Sequence, residues 1–178
     1  RRKRALTCAA VAGVAGLSIE DMSHDTGKPL YETELAVERV KAARAAVDAE
    51  GSGAILVARA EGWLIGQMDL RQTLDRLVLL AEAGADCLYA PGLRTAQDVA
   101  AAVRAVAPKP LNVLMWTKGL TVAELADLGV RRISVGGALA RAAWTGFLGA
   151  AREIADQGRF DGLAAAATGA ELNALLRP

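Results

Sequence analysis

Apolar residues along the chain follow two rhythms. In "GAILVARAEG" and "KPLNVLMW" they form short runs rich in Val, Ile and Leu, the composition of strands buried in a parallel sheet. In "ETELAVERVKAARAAVDAE", "LRQTLDRLVLLAEAG", "TAQDVAAAVRAVA" and "TVAELADLG" they recur at helical spacing, and one more helical segment, "ALARAAWTGFLGAAREIADQ", follows the last run. The segments "AAVAGVAGLSIED", "LLAEAGADCLYAPG" and "ELADLGVRRISVGG" share a third pattern, an Ala-rich helical stretch that ends at a glycine just before a short apolar run. Gly16, Gly84 and Gly129 are expected in the left-handed conformation past a helix end, which other residues adopt only at a cost.

Strands are thus expected near residues 16–20, 54–59, 86–89, 110–114 and 132–135, with a helix before the first and after each. That alternation gives an α/β fold with a parallel sheet. Five units fit either an open Rossmann-like sheet or the last five units of a (β/α)8 barrel, because a whole barrel takes about 250 residues and this chain has 178. The chain opens inside a helical segment without a methionine, and the barrel reading places about three further units before it. Residues 1–178 are expected to form one domain, a portion of that barrel.

Composition narrows the function classes. Hydrophobic residues make up 53% and aromatics only 4%, so the core is built of Ala, Val and Leu. With 21 basic residues scattered among 20 acidic ones and a net charge of +1, the chain lacks the footprint of a nucleic-acid binder. Its one basic run, "RRKR", reads as a solvated helix start. No apolar stretch approaches the ~20 residues of a membrane span, and no signal-peptide pattern is present. Cys8 and Cys87 cannot form a disulfide framework, and one histidine, His24, cannot form a multi-His metal site. A cytoplasmic location is expected.

Ligands of parallel α/β proteins bind where strands end. The strand ends here offer Glu20 and Asp21, Arg59 and Glu61, Tyr89 and Pro91, Trp116, and Ser134 with Gly136 and Gly137. Carboxylates suit a hard cation such as Mg2+, often through water, and a forked guanidinium suits a carboxylate or phosphonate. The set fits a small anionic oxyacid held against a metal.

The blocks "GLSIED", "ILVARAEGWLIG", "LDRLVLLAEAGADCLYAPG", "KPLNVL" and "ELADLGVRRISVGGALARAAW" resemble, in order, those of the isocitrate lyase/phosphoenolpyruvate mutase superfamily. The resemblance implies a Mg2+-dependent enzyme on a (β/α)8 TIM barrel. Such an enzyme makes or breaks a C–C or P–C bond beside an α-keto or α-hydroxy carboxylate through a pyruvate-like enolate. It implies that Glu20 and Asp21 serve the metal, that Arg59 grips the substrate's anionic group with Glu61 beside it, and that Tyr89 and Asn112 face the substrate. It also implies a homo-oligomer, a dimer or tetramer, joined near the final helix, where Trp144 and Phe147 lie three residues apart.

Two departures from the pattern stand out. The Asp-rich metal motif of the superfamily belongs to a strand upstream of Arg1. The lyase branch carries a cysteine-containing loop after "ED", and here that loop reads "MSHDTGKPLY", without cysteine and with Lys28 as the one stand-in for the mutase lysine. A catalytically silent barrel relative, serving as a binding or scaffolding subunit, is the competing reading. A phosphosugar enzyme using "SVGG" as a phosphate cradle leaves the carboxylates unexplained. His24 reads as an exposed loop residue and Cys87 as a buried small hydrophobe.

Overall fold

The computed structural model describes residues 13–23 and 25–177. The helical segment expected before the first strand, the "RRKR" run, Cys8 and His24 lie outside the described residues. Strands β1 (Gly16–Glu20), β2 (Ile55–Arg59), β3 (Cys87–Tyr89), β4 (Leu111–Leu114) and β5 (Arg132–Ser134) form one sheet in the order β1-β2-β3-β4-β5, each parallel to the next. Helices α1 (Thr33–Glu50), α2 (Leu70–Glu82), α3 (Ala96–Val106) and α4 (Val122–Asp127) connect them. A Rossmann sheet reverses its strand order at a switch point. This one does not, which decides between the two arrangements the sequence left open.

Side chains alternate across a strand, so the sheet has two different faces. Leu56, Ala58 and Ala60 of the β2 segment, with Leu88, Leu111 and Val113, meet the helices in one core. From α1 come Ala36, Val40 and Ala43, from α2 Leu77 and Leu80, and from α3 Val99, Ala102 and Val106, each at the three- or four-residue spacing of one helical stripe. The opposite face carries a smaller cluster of Val57, Cys87, Tyr89 and Leu114, with Trp116 against it. Cys87 is buried there, as its apolar setting suggests.

Local chemistry fixes where the helices start. Asp69 and Thr121 close capping boxes with Gln72 and Glu124, and Thr95 caps α3 by accepting from the Asp98 N–H. Gly84 (φ 103°) and Gly129 (φ 90°) take the left-handed conformation expected of them. Gly16 does not. It opens β1, and a Cβ there would lie 2.9 Å from the Ile55 carbonyl oxygen, so glycine is needed for the close approach of two strands.

Two compact units divide between Ser134 and Val135 in sequence. The second holds α5 (Ala138–Gln157), a 3-10 turn (Asp161–Leu163) and α6 (Gly169–Leu175). Gly136 (φ 53°) turns the chain into α5, whose 20 residues include none that is buried. Among the described residues no helix is long and apolar enough to cross a membrane.

Candidate functional site

Register aligns one residue from every strand. Glu20 pairs with Arg59, Arg59 with Tyr89, Tyr89 with Asn112, and Asn112 with Arg132. Registered neighbours project to the same face, so five polar side chains form a row across the sheet on the side away from the helices. The apolar cluster of Val57, Cys87 and Leu114 shares this face.

Arg59 is central to one end of the row. Its Nε donates to Glu61 Oε1 at 2.7 Å, lies 3.7 Å from Glu20 Oε2, and its guanidinium carbon stands 4.8 Å from the centre of the Tyr89 ring. Four residues expected at the site are therefore in mutual reach. Glu61 is buried, and burial pushes its carboxyl above the usual carboxylate range, with Glu20 and Asp21 adding repulsion, while Arg59 draws it back in part. Burial likewise raises the Tyr89 phenol, against the pull of Arg59 and a hydrogen bond with the Ser134 side chain.

At the other end, Arg132 Nη1 donates to Asn112 Oδ1 at 3.1 Å, and Asn112 Nδ2 donates to Ser134 Oγ at 3.0 Å. Asn112 is thus an organiser, buried and used on both sides of its amide. Trp116 lies under the Arg94 guanidinium at 5.0 Å, and Pro91 is buried beyond β3.

Asp21 sits in a buried hydrogen-bonded network. Its Oδ1 accepts from the Glu61 N–H at 2.8 Å and its Oδ2 from Arg76 Nη1 at 2.9 Å, with both side chains buried. Arg76 also donates to the Tyr31 carbonyl and to Thr33 Oγ1, at 3.0 and 2.9 Å. Asp21 thus has a partner within the protein at each oxygen. It ties the end of β1, the return of the following loop and the end of β2 to one guanidinium on α2. Within that loop Met22 bridges Leu30 and Ser23 N–H donates to Pro29 O at 2.7 Å, forming a short antiparallel turn with Lys28 exposed.

Two arginines were not among the sequence candidates. Arg76 shares the buried stripe of α2 with Thr73, Leu77 and Leu80, so a charge at a core position of that helix was a legible signal. Arg132 sits at the start of β5, away from the strand end, and only register brings it into the row.

Glu20 and Glu61 remain as carboxylates around Arg59. Among the described residues no group of three or more His, Cys, Asp or Glu is placed to share a metal. Two carboxylates nevertheless fit Mg2+, which keeps several waters and is commonly held through one or two carboxylates.

The family model for phosphoenolpyruvate phosphomutase matches residues 3–155. A lyase/mutase described from Burkholderia cenocepacia J2315 is 45% identical, with a TM-score of 0.92 over 99% of this chain and 64% of its own. The structure of 2,3-dimethylmalate lyase superposes with a TM-score of 0.82 at 25% identity, over 98% of this chain and 61% of its own. Oxaloacetate acetylhydrolase in complex with oxalate gives 0.81 at 25% identity, with the same shares of 98% and 61%. An uncharacterized protein of Mycobacterium tuberculosis strain H37Rv is 31% identical over 143 residues, 80% of this chain and 52% of that protein. The chain thus spans about half the length of that relative and under two thirds of these solved chains. Its five consecutive parallel βα units, with acids and an arginine at neighbouring strand ends, are a sector of the superfamily's (β/α)8 barrel. On the matched residues and on the superposed fold together, the chain belongs to the phosphoenolpyruvate phosphomutase family, within the isocitrate lyase/phosphoenolpyruvate mutase superfamily.

Proposed function

We propose that this chain carries the substrate-gripping part of a lyase or mutase site that acts on a C–C or P–C bond of a small α-keto or α-hydroxy carboxylate. The observation that carries the reading is the placement of Arg59, bonded to Glu61 at 2.7 Å and 3.7 Å from Glu20, over Tyr89. A guanidinium held on one edge by a buried carboxylate keeps its remaining N–H groups aligned for a substrate carboxylate or phosphonate. Glu20, half-buried beside it, is the residue that would hold Mg2+ through water, with the unbonded oxygen of Glu61 as a second donor. When bound, the ion supplies Lewis-acid stabilisation of an enolate's negative charge. The Tyr89 ring lies against the Arg59 guanidinium on the β3 side and would limit the directions that guanidinium can take.

Calorimetric titration of oxalate, a planar mimic of the pyruvate enolate, tests this on the full-length protein with and without Mg2+. Binding that requires both the ion and Arg59 is expected. Absence of binding, or binding indifferent to the ion and to Arg59, favours the silent barrel relative.

Self-association through α5 belongs to the same reading. Trp144 and Phe147 pack edge to face at 5.3 Å, yet are 59% and 61% exposed, and Leu139 and Leu148 are exposed on the same helix. An aromatic pair left in water on a 20-residue helix fits a second copy of this chain as its cover.

A further inference from the structure

Arg76 is a buried charge in the apolar stripe of α2, beside Leu77 and one turn from Thr73 and Leu80. Its Nη1 donates to Asp21 Oδ2 at 2.9 Å and to the Tyr31 carbonyl at 3.0 Å, and its Nη2 donates to Thr33 Oγ1 at 2.9 Å. As a source of net stability a buried ion pair is weak, because desolvating two charges offsets most of their attraction and apolar residues of similar volume hold a helix as well. Apolar residues do not, however, fix three acceptors from two chain segments in the plane of one fork.

Those acceptors stand on both sides of the loop that follows β1. Tyr31 N–H donates to the Asp21 carbonyl at 2.8 Å, so Asp21 and Tyr31 close the base of that loop, and Arg76 holds both. From Asp21 the contacts reach the candidate site in two steps. Asp21 Oδ1 accepts from the Glu61 N–H at 2.8 Å, and Glu61 Oε1 accepts from Arg59 Nε at 2.7 Å. Asp21 N–H also donates to the Arg59 carbonyl at 3.1 Å. One carboxylate therefore fixes the backbone of both members of the Arg59–Glu61 pair, and its other oxygen is fixed by Arg76.

We propose that Arg76 is a positioning residue for the anion clamp: through Asp21 it sets the Glu61 backbone, through Glu61 the direction of the Arg59 guanidinium, and it ties that geometry to the base of the loop after β1. This rests on the reading that Arg59 grips the substrate's anionic group. A forked guanidinium binds a planar anion only when both are aligned, and misplacement by about 1 Å in such sites is worth on the order of a hundredfold in rate. Ligand binding at Arg59 thereby becomes sensitive to Thr33, the first residue of α1, which is no part of the clamp.

The test separates positioning from stability by calorimetric titration of oxalate with Mg2+ on the full-length protein, with urea denaturation of each variant to show that it is folded in the titration buffer. Arg76→Leu/Asp21→Asn removes both buried charges and keeps an acceptor for the Glu61 N–H, but nothing then anchors that acceptor. It is expected to bind oxalate at least about tenfold more weakly than wild type although folded. Thr33→Val removes one acceptor of the fork, leaves the ion pair intact and is expected to weaken oxalate by about threefold, the scale of one neutral hydrogen bond. Wild-type affinity in either folded variant overturns the positioning role, and should the double variant not fold, Thr33→Val decides alone. Oxalate binding that Arg59→Gln abolishes but Thr33→Val leaves unchanged overturns this inference and leaves the clamp standing. Failure of wild type to bind oxalate overturns the clamp and this inference with it.

Discussion

Asp21 Oδ2 and Arg76 Nη1 lie 2.9 Å apart with their side chains only 1% and 7% exposed, so the acid beside the candidate metal ligand is committed to a buried ion pair. That pair spans α2 and the end of β1, and the second oxygen of Asp21 fixes the backbone of Glu61. The position of Glu61 at the site therefore depends on Asp21.

Removing one partner of this pair is costlier than removing both. Arg76→Leu leaves a buried carboxylate uncompensated and is expected to lower stability by about 3–5 kcal/mol. The double variant Arg76→Leu/Asp21→Asn removes the stranded charge and is expected to recover part of that loss. Urea denaturation of the single and double variants reads the difference, and equal destabilisation of the two would count against an ion-pair role.

Arg59→Lys keeps the charge but loses the planar fork. Oxalate binding in the presence of Mg2+ is expected to weaken by roughly 1–3 kcal/mol, while Glu20→Gln is expected to reduce chiefly the Mg2+ dependence of binding. Calorimetry distinguishes the two patterns, and identical behaviour of the two variants would refute the division of labour between them.

Cys87 tests the apolar part of the inner face. Burial pushes its thiol up from the ordinary value, offset in part by Arg132, so little thiolate forms at pH 8. Iodoacetamide at that pH is expected to leave the Cys87 peptide unmodified in native protein and to label it in urea, as read by mass spectrometry. Rapid native labelling would mean that this face opens to solvent.

Gly84 tests the turn between α2 and β3. At φ 103°, an added Cβ would also sit 2.7 Å from Arg44 Cγ, and Arg44 is the residue that bridges Asp48 and Asp86. Gly84→Ala is expected to destabilise by more than about 1 kcal/mol through backbone strain and displacement of that arginine. A thermal midpoint equal to wild type would show that the turn relaxes without cost.

The exposed aromatic pair on α5 predicts the solution state. Full-length protein at micromolar concentration is expected to run as a dimer or larger by light scattering, and Trp144→Glu/Phe147→Glu to shift it toward monomer. A monomeric wild type would remove self-association from the proposal.

The elements themselves were legible in local pattern. Runs of Val, Ile and Leu gave five strands within about two residues of where they lie, and Gly84 and Gly129 marked two of the turns, because local periodicity and left-handed glycine are properties of a short segment. It also placed Glu20, Arg59, Glu61 and Tyr89 at strand ends, where parallel sheets bind ligands. The partner of each charge follows from long-range packing. Asp21 and Glu20 are adjacent in the chain, yet strand alternation points them to opposite faces, one toward Arg76 beneath the helices and the other toward Arg59. Arg132 joined the site through register with Asn112, a pairing between segments 20 residues apart that no local pattern encodes. Gly16 was needed for strand contact rather than for its own backbone angle, since its nearest neighbour is the Ile55 carbonyl on another strand. Local pattern specifies the backbone's form; which charges meet is fixed only when the strands align.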